Sequence, residues 1–554
     1  MKNLILFLIL FSGCFSAKAQ NLHLKLEGIS TEETKIIDSI GYKKQHENTK
    51  SILEETNNFS SVLFKKGFLE SQLLNQKKVN DSTFVFYYAI GKQTSLIHIY
   101  IGTLSEEEKK LLEFPSDTIK LSVSEVEDFM NTNLSKLEQK GFSLSELQLT
   151  NHKKEDNHLL AELKLKTEKK RNLNDIVIVG YTKFPEGIRR NIAKQYRKRT
   201  FNQENLKQLN NNFKALPFVN QIKYPEILFT KDSTKVYVYL EKTKANRFDG
   251  FIGFANEENS GIRFTGYLDL LLNNALNTGE KINLYWKSDG KKQTTFNIGT
   301  ELPYIFKSPL GIKANLRIFK QDSIFQNTTT DLNLGYYFSY NSKVYLGYQS
   351  AESVDIQKSN NAFISSFSNS FWTTSYEFTG FNVDDFLFRE KTSLNLKFGL
   401  GSRKSKIETN SQYFIQLNTH HNFYLNKKNI IALKNQSFYL QSNKYIINEL
   451  YRFGGITSIR GFSENSLQAN LFSGIMAEYR YVLTPGMYVH TITDYGYFQD
   501  KTANLKDNLL GLGFGFGLFT KNGLFNLIYA NGSTSEQTIK LSNSIVHISF
   551  KTNF

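Results

Sequence analysis

The chain has 554 residues, a net charge of +16, 40% hydrophobic and 14% aromatic residues, and seven prolines. That length exceeds one compact core, and 46 Phe and 29 Tyr in a varied sequence exclude collagen-like, coiled-coil and wholly disordered chains. Past the N-terminus no apolar run reaches the ~20 residues of a membrane-spanning helix, which excludes a helical membrane protein; the basic excess leaves nucleic acid, a membrane surface or an acidic partner open.

Residues 1–19 read as a secretory signal. Met1-Lys2-Asn3 is a short basic start, Leu4 to Phe15 is apolar, and Ala17-Lys18-Ala19 supplies an A-x-A cleavage site before Gln20. The single cysteine, Cys14, lies inside this segment, where Phe11-Ser12-Gly13-Cys14 forms a weak lipoprotein box. Cleavage after Ala19 leaves a mature chain without disulfides or thiolate metal ligands.

Residues 20–246 read as three small α+β repeats, 20–92, 93–168 and 169–246. The last is the clearest. Asp175 to Val179 predicts a strand, Glu186 to Tyr196 and Glu204 to Ala215 have helical spacing, and Phe218 to Tyr224 and Lys235 to Glu241 predict two more strands. The order is β-α-α-β-β. Upstream, Ile97, Ile99 and Ile101 predict a strand, Val123 to Leu137 a helix, and Leu159 to Leu165 a strand. The first copy is fainter, with a helix near Ile52 to Leu63 and a strand from Phe84 to Ile90. Lys-Gly-Phe closes the helix in both, at Lys66-Gly67-Phe68 and Lys140-Gly141-Phe142, which supports repetition; Gly followed by an aromatic residue is also a common helix stop.

From residue 247 the charged fraction drops and the rhythm changes. Leu332, Leu334, Tyr336, Phe338 and Tyr340 alternate with mostly polar residues, as do Leu394, Leu396, Phe398 and Leu400, and Val546, Ile548 and Phe550. Period-2 segments of about 10 residues separated by turn residues are the pattern of a transmembrane β-barrel. Strands are predicted to begin near Arg247, Gly261, Gly279, Lys292, Gly311, Asp331, Lys343, Ser365, Glu390, Ser411, Asn429, Asn470, Gly486, Asn508, Gly523 and Ser544. That makes sixteen antiparallel strands over 247–554. In hydrocarbon every backbone N–H and C=O must be paired, so a chain without a spanning helix needs a closed sheet; a soluble sandwich is the alternative.

Between the eleventh and twelfth strands lies Arg452-Phe453-Gly454-Gly455-Ile456-Thr457-Ser458-Ile459-Arg460-Gly461-Phe462. Then follow Ala477-Glu478-Tyr479-Arg480-Tyr481, Thr493-Asp494-Tyr495-Gly496-Tyr497 and the run Gly511 to Leu518. Strand alternation turns Glu478, Arg480, Asp494 and Gly496 inward, so Arg460 can fold in and meet the two carboxylates; a scatter of unrelated lumen charges is the plainer alternative. Gly511, Gly513, Gly515 and Gly517 share one strand face, predicted to accommodate the folded-in loop. They follow no phosphate-loop pattern, because they alternate within a strand. Adjacent His420 and His421 face opposite ways, and neither H-E-x-x-H, Walker A nor G-x-S-x-G occurs; no catalysis, metal or cofactor is expected.

The ordered set of Gly-Gly…Arg-Gly-Phe loop, Glu-x-Arg strand and Asp-x-Gly strand resembles the BamA/TamA-type outer-membrane protein assembly superfamily. That resemblance covers nearly the whole mature chain and implies periplasmic POTRA repeats followed by a sixteen-strand barrel. It implies that Gly454, Gly455, Arg460, Gly461 and Phe462 anchor the loop inside the barrel. It implies a lateral seam between Arg247–Asn256, with Gly250 and Gly253, and Ser544–Phe554, with Phe550 and Phe554 as a terminal assembly signal. The expected function is capture and insertion of unfolded outer-membrane β-barrel proteins in a Gram-negative-type bacterium, with periplasmic chaperones, accessory assembly subunits and the lipid bilayer as partners and no nucleic acid. Two alternatives stay open: a two-partner-type polypeptide secretion transporter, whose relatives usually carry two POTRA domains and a plug helix, and a passive diffusion pore.

The charge has an address. Residues 151–246 carry a net +11, concentrated at Arg189, Arg190, Lys194, Arg197, Lys198 and Arg199. Arg190, Lys194 and Arg197 share a helical face, either simply solvated or turned to the anionic lipid heads of the periplasmic leaflet.

Overall fold

The computed structural model describes residues 21–155, 157–257, 261–288, 293–322, 324–356, 364–382, 384–385, 387–405, 408–521, 523–540 and 544–554. The signal segment and Cys14 lie outside the described residues. The chain divides into two compact units. One runs to Arg171 and takes in Thr200–Gln203; the other holds Asn172–Arg199 and Glu204–Phe554.

The first unit contains two similar α/β repeats. Repeat one runs β1 (Leu22–Gly28), α1 (Thr31–Ile40), β2 (Gln45–His46), α2 (Thr49–Lys65), β3 (Gln72–Lys78) and β4 (Thr83–Ala89), with sheet order β2-β1-β4-β3. Repeat two runs β5 (Leu96–Tyr100), α3 (Glu106–Leu112), β6 (Thr118–Ser122), α4 (Val126–Gln139), β7 (Glu146–Glu155) and β8 (His158–Lys166), in the matching order β6-β5-β8-β7. Each therefore adds to the expected β-α-α-β-β outline a short strand between its helices. The helices bury one apolar stripe on one sheet face: Ile37, Ile52, Phe59 and Leu63 meet Leu24, Leu26 and Phe86, and Leu112 and Leu137 meet Ile97, Ile99 and Leu163. The recurrent Lys-Gly-Phe ends both second helices in the same way. Gly67 and Gly141 take left-handed φ of 91° and 96°. The next N–H returns to the last turn, Phe68 to the Leu63 carbonyl at 3.0 Å and Phe142 to Leu137 at 2.9 Å, the Schellman arrangement that only glycine adopts without strain.

The third repeat belongs to the second unit. It runs β9 (Asp175–Val179), α5 (Glu186–Tyr196), α6 (Gln203–Lys214), β10 (Val219–Phe229) and β11 (Thr234–Lys242), with order β10-β11-β9. Ile188, Ile192, Leu206, Leu209 and Phe213 are buried, as are Val236, Val238 and Leu240 on the central strand. One end of the barrel receives this repeat. Asn274 Nδ2 donates to Tyr181 Oη at 2.8 Å, Asn191 Nδ2 to the Ser308 carbonyl at 3.2 Å, and Arg389 Nη2 to the Leu216 carbonyl at 3.2 Å.

Sixteen strands close the barrel: β12 (Arg247–Glu257), β13 (Gly261–Asn273), β14 (Lys281–Ser288), β15 (Gln293–Leu302), β16 (Leu310–Gln321), β17 (Phe325–Ser339), β18 (Ser342–Asp355), β19 (Phe367–Phe381), β20 (Glu390–Ser405), β21 (Thr409–Tyr424), β22 (Asn429–Gln441), β25 (Leu471–Thr484), β26 (Met487–Asp500), β27 (Leu505–Thr520), β28 (Gly523–Ser533) and β29 (Ile545–Asn553). Two short strands, β23 (Tyr451–Phe453) and β24 (Leu467–Ala469), form a separate hairpin between β22 and β25. Strand starts fall within three residues of expectation except at β17, which begins at Phe325 rather than Asp331. The polar run Gln326–Thr330 carries no alternating apolar face from which that start could be read. Leu332, Leu334, Tyr336 and Phe338 are exposed on the outer wall, as are Val546, Ile548 and Phe550; lipid would cover such a face.

Candidate functional site

The segment from Ser442 to Asn470 leaves β22, enters the barrel and returns to β25. Its geometry follows from its glycines. Gly454, Gly455 and Gly461 take left-handed φ of 102°, 96° and 88°. A Cβ on Gly454 would stand 2.7 Å from the Ser463 carbonyl, and one on Gly455 would press on Glu464 at 3.0 Å. The hairpin of β23 and β24 therefore ends in a tight curl that only residues lacking a side chain permit.

The curl carries Ile459 and Arg460. Ile459 is fully buried and joins Phe453, Phe472, Met476, Phe498 and Leu509 in an apolar cluster inside the barrel. Phe453 stacks on Phe472 with ring centroids 4.0 Å apart. The seat of Ile459 is the pair Gly474 and Gly496, opposite each other on β25 and β26. A Cβ on either would meet Ile459 Cδ1, at 2.9 and 3.2 Å.

Arg460 is 4% exposed and Asp494 fully buried. Arg460 donates to the Asp494 carboxylate from its backbone N–H at 2.9 Å, from Nε at 2.8 Å and from Nη2 at 2.6 Å, while Nη1 donates to Glu478. Glu478 also accepts from Arg480 Nε at 2.7 Å, and Arg480 donates to Asn422 Oδ1 at 3.1 Å. The two arginines and two carboxylates balance. Such a group is stable away from water only while every charge keeps its partner. Gly461 lies against Gly532 on β28, whose own Cβ would stand 2.6 Å from the Gly461 carbonyl, and Phe462 covers the same spot.

The glycine row of β27 divides its work. Only Gly511 faces the loop, directly under the Arg460 carbonyl. Gly513 lies close to the β28 backbone, and Gly515 and Gly517 make room for the rings of His490 and Tyr488. The expectation that all four form a wall for the loop is therefore corrected. Gly532, which the sequence reading passed over, supplies the rest of that wall.

Two further attachments also escaped that reading. Asn448 Nδ2 donates to Ser353 Oγ at 2.6 Å and to the Ser365 carbonyl at 2.8 Å, and its carbonyl accepts from Asn327 Nδ2 at 2.6 Å. Beside it Glu449 accepts from Gln412 Nε2 at 2.6 Å and pairs with Arg403, itself 1% exposed. On the opposite wall Glu464 accepts from Tyr285 Oη at 3.2 Å and pairs with Lys287 of β14. The inward alternation of β20 and β14 was a signal for Arg403 and Lys287, but nothing in the sequence pairs them with the loop.

The seam is the second feature of the site. Among the described residues β12 and β29 share two ladder pairs, Arg247 with Asn553 and Phe248 with Thr552. The Phe554 N–H adds one bond to the Asn246 carbonyl at 3.0 Å. Strands β12 and β13 share eleven pairs and β28 and β29 eight. A cleft of about 460 Å³ lies there, lined by Phe248, Asp249, Gly250, Tyr267, Ile548 and Phe550 among others. Gly250 brings its backbone close to β13, where a Cβ would meet the Tyr267 carbonyl at 2.5 Å. Gly253 stands opposite Thr265 in the same ladder. Phe550 and Phe554 are both exposed.

No family model matches the sequence, and no curated protein matches it. Solved structures do match. CdiB from Escherichia coli aligns over 94% of this chain and 98% of its own at 12% identity, with a TM-score of 0.50. CdiB from Acinetobacter baumannii aligns over 91% and 97% at 15% identity, also at 0.50. The fold is that of the CdiB barrels. BamA from Haemophilus ducreyi, lacking POTRA domains 1-3, is similar over 82% of this chain and 98% of its own, at 15% identity and a TM-score of 0.47. The chain itself combines a closed sixteen-strand antiparallel barrel with three small N-terminal α/β repeats.

Proposed function

We propose that the protein inserts β-barrel clients into the outer membrane of a Gram-negative-type bacterium, with its POTRA-like repeats in the periplasm. The observation that carries this reading is the two-pair seam. Backbone groups outside that short ladder, among the described residues of β12 and β29, would be costly in lipid and would offer a template to an incoming strand. The repeats offer further edges. Strands β3, β7 and β10 lie at the rims of their sheets, where an extended client can add a strand through main-chain bonds that ask little of its sequence. Client folding supplies the energy in this scheme, so the chain itself carries out no catalytic step. Periplasmic chaperones and accessory subunits would deliver clients to those edges.

A secretion transporter is the second reading, favoured by the match to the CdiB barrels, which are of the two-partner transporter kind. Three repeats rather than two, and the assignment of every α-helix among the described residues to a repeat, favour assembly. Depletion followed by outer-membrane proteomics tests the choice. Broad loss of barrel proteins is the expected result. Loss of a single secreted product would replace this reading with the transporter, and slower solute uptake alone would replace both with a passive pore.

A further inference from the structure

Helix α5 presents three faces. Ile188, Ile192 and Tyr196 enter the core of the third repeat. Gly187, Asn191 and Gln195 meet the barrel. Gly187 packs on Tyr304, where a Cβ would lie 3.0 Å from the tyrosine Cβ. Asn191 Nδ2 donates to the Lys307 carbonyl at 3.3 Å and the Ser308 carbonyl at 3.2 Å, and Gln195 Nε2 to the Phe338 carbonyl at 2.6 Å. The helix therefore lies across the β15–β16 turn and the end of β17. Its third face carries Arg190 and Lys194, with Arg197 and Lys198 just beyond the last turn, all exposed. Glu186 offsets part of this charge, because it pairs with both Arg189 and Arg190 at 2.7 Å. Lys194, Arg197 and Lys198 keep theirs.

The turn beneath the helix is unusual. Tyr304, Phe306 and Lys307 all have left-handed φ, at 55°, 54° and 57°, a conformation costly for side-chain-bearing residues and retained where the surroundings impose it. This backbone holds the Phe306 side chain 95% exposed beside the cation of Lys307. The neighbouring outer wall continues the apolar surface. Leu310, Tyr336 and Phe338 are exposed, and the last two stack edge to face at 5.2 Å. The wall aromatics Tyr336 and Phe338, the exposed Phe306 of the turn and the cations of the helix lying across it thus follow one another at the rim of the barrel. That sequence of surfaces matches the passage from acyl chain to headgroup at a bilayer face.

We propose that the α5 basic face and the Phe306 turn form a site for anionic phospholipid headgroups of the leaflet at the repeat-bearing end of the barrel. Phe306 enters the interface, and Lys194, Arg197, Lys198 and Lys307 take the phosphates. The inference rests on the barrel being a membrane barrel. Its effect is to fix the height and tilt of the third repeat against the bilayer, so that the lipid composition bears on how the repeat presents its edge.

The test uses the full chain refolded into phosphatidylcholine bilayers with and without phosphatidylglycerol, with a heat-modifiable band on gels reporting insertion. Native mass spectrometry then counts the lipid classes retained. Retention of phosphatidylglycerol over phosphatidylcholine is expected, falling roughly fivefold per neutralised cation in Lys194→Gln, Arg197→Gln and Lys307→Gln, and falling with salt. Equal retention by the triple variant overturns the site. In parallel, Phe306→Cys carrying an environment-sensitive dye should be quenched by spin-labelled lipid, and absence of quenching removes the turn from the interface. A chain that never inserts, even into phosphatidylcholine alone, instead defeats the membrane-barrel reading on which the site rests.

Discussion

Arg460 and Asp494 are joined by three hydrogen bonds, one of them from the arginine's own backbone N–H. Side chain and main chain of the loop are thus fixed to β26 together. Neither partner can be withdrawn without leaving the other charged and buried.

Arg460→Ala is accordingly expected to cost about 3–5 kcal/mol of loop attachment, because Asp494 and Glu478 both lose a cation. The loop should become sensitive to added protease while the heat-modifiable barrel band persists. Unchanged protection would show that the apolar seat of Ile459 alone holds the loop.

Gly511→Leu and Gly532→Leu should displace the loop, since each new side chain occupies the space of the Arg460 or Gly461 carbonyl. Overpacking of this kind costs about 1–3 kcal/mol. Limited proteolysis should report the displacement in both variants, and, on the proposed function, the outer-membrane level of barrel proteins should fall with it.

Phe248 and Thr552 face each other across the seam, and directly paired antiparallel residues lie within disulfide reach. A Phe248→Cys, Thr552→Cys variant should therefore crosslink under oxidation. If the seam admits clients, oxidation should halt barrel assembly and reduction should restore it. Assembly that proceeds through a locked seam would place the client path elsewhere.

Arg403→Leu should release the other end of the loop, because it strips Glu449 of its cation in a buried site. The expected loss is again about 3–5 kcal/mol. Glu449→Gln combined with Arg403→Leu should recover part of it, and thermal unfolding of the folded band on gels measures both.

Glu186 is held down to about 2, mainly by its hydrogen bonds to Arg189, from an ordinary value of 4.5. A depressed carboxyl stabilises the fold above its unfolded value and loses that contribution as pH falls through the folded one. Glu186→Gln should therefore matter at neutral pH and converge with the parent towards pH 2. With two-fifths of the side chain exposed, screening keeps the difference below about 1 kcal/mol. Acid titration of the two proteins by circular dichroism checks the convergence.

Much of the architecture was legible from period alone. Strands whose outward side chains are apolar and inward ones polar, such as β17 from Leu332 onward and β29, show every second residue apolar. Two of the strands that went unread lack that asymmetry. Strand β3 is exposed along its whole length, and β2 has two residues; an edge with solvent on both faces imposes no pattern. The same division holds within the site. Glu478 and Asp494 lie on adjacent strands close in sequence to the Arg460 loop, so alternation brings the three together. Asn448, Glu449 and Glu464 meet residues 37 to 179 positions away, and such meetings depend on the register of many strands at once.

Those remote meetings have a mechanical consequence. The lumen segment grips the barrel at several places around its circumference, among them β17 to β21 through Asn448 and Glu449, β25 and β26 through Arg460, and β14 through Glu464. Fixed points spread in this way triangulate a ring. The arc from β14 to β26 by way of β20 is braced against changes of width, whereas β12, β13 and β29 lie on the arc between the Glu464 and Arg460 attachments. Among the described residues the ladder between β12 and β29 has the fewest pairs of the barrel, so the join with least to break lies in the arc outside that brace.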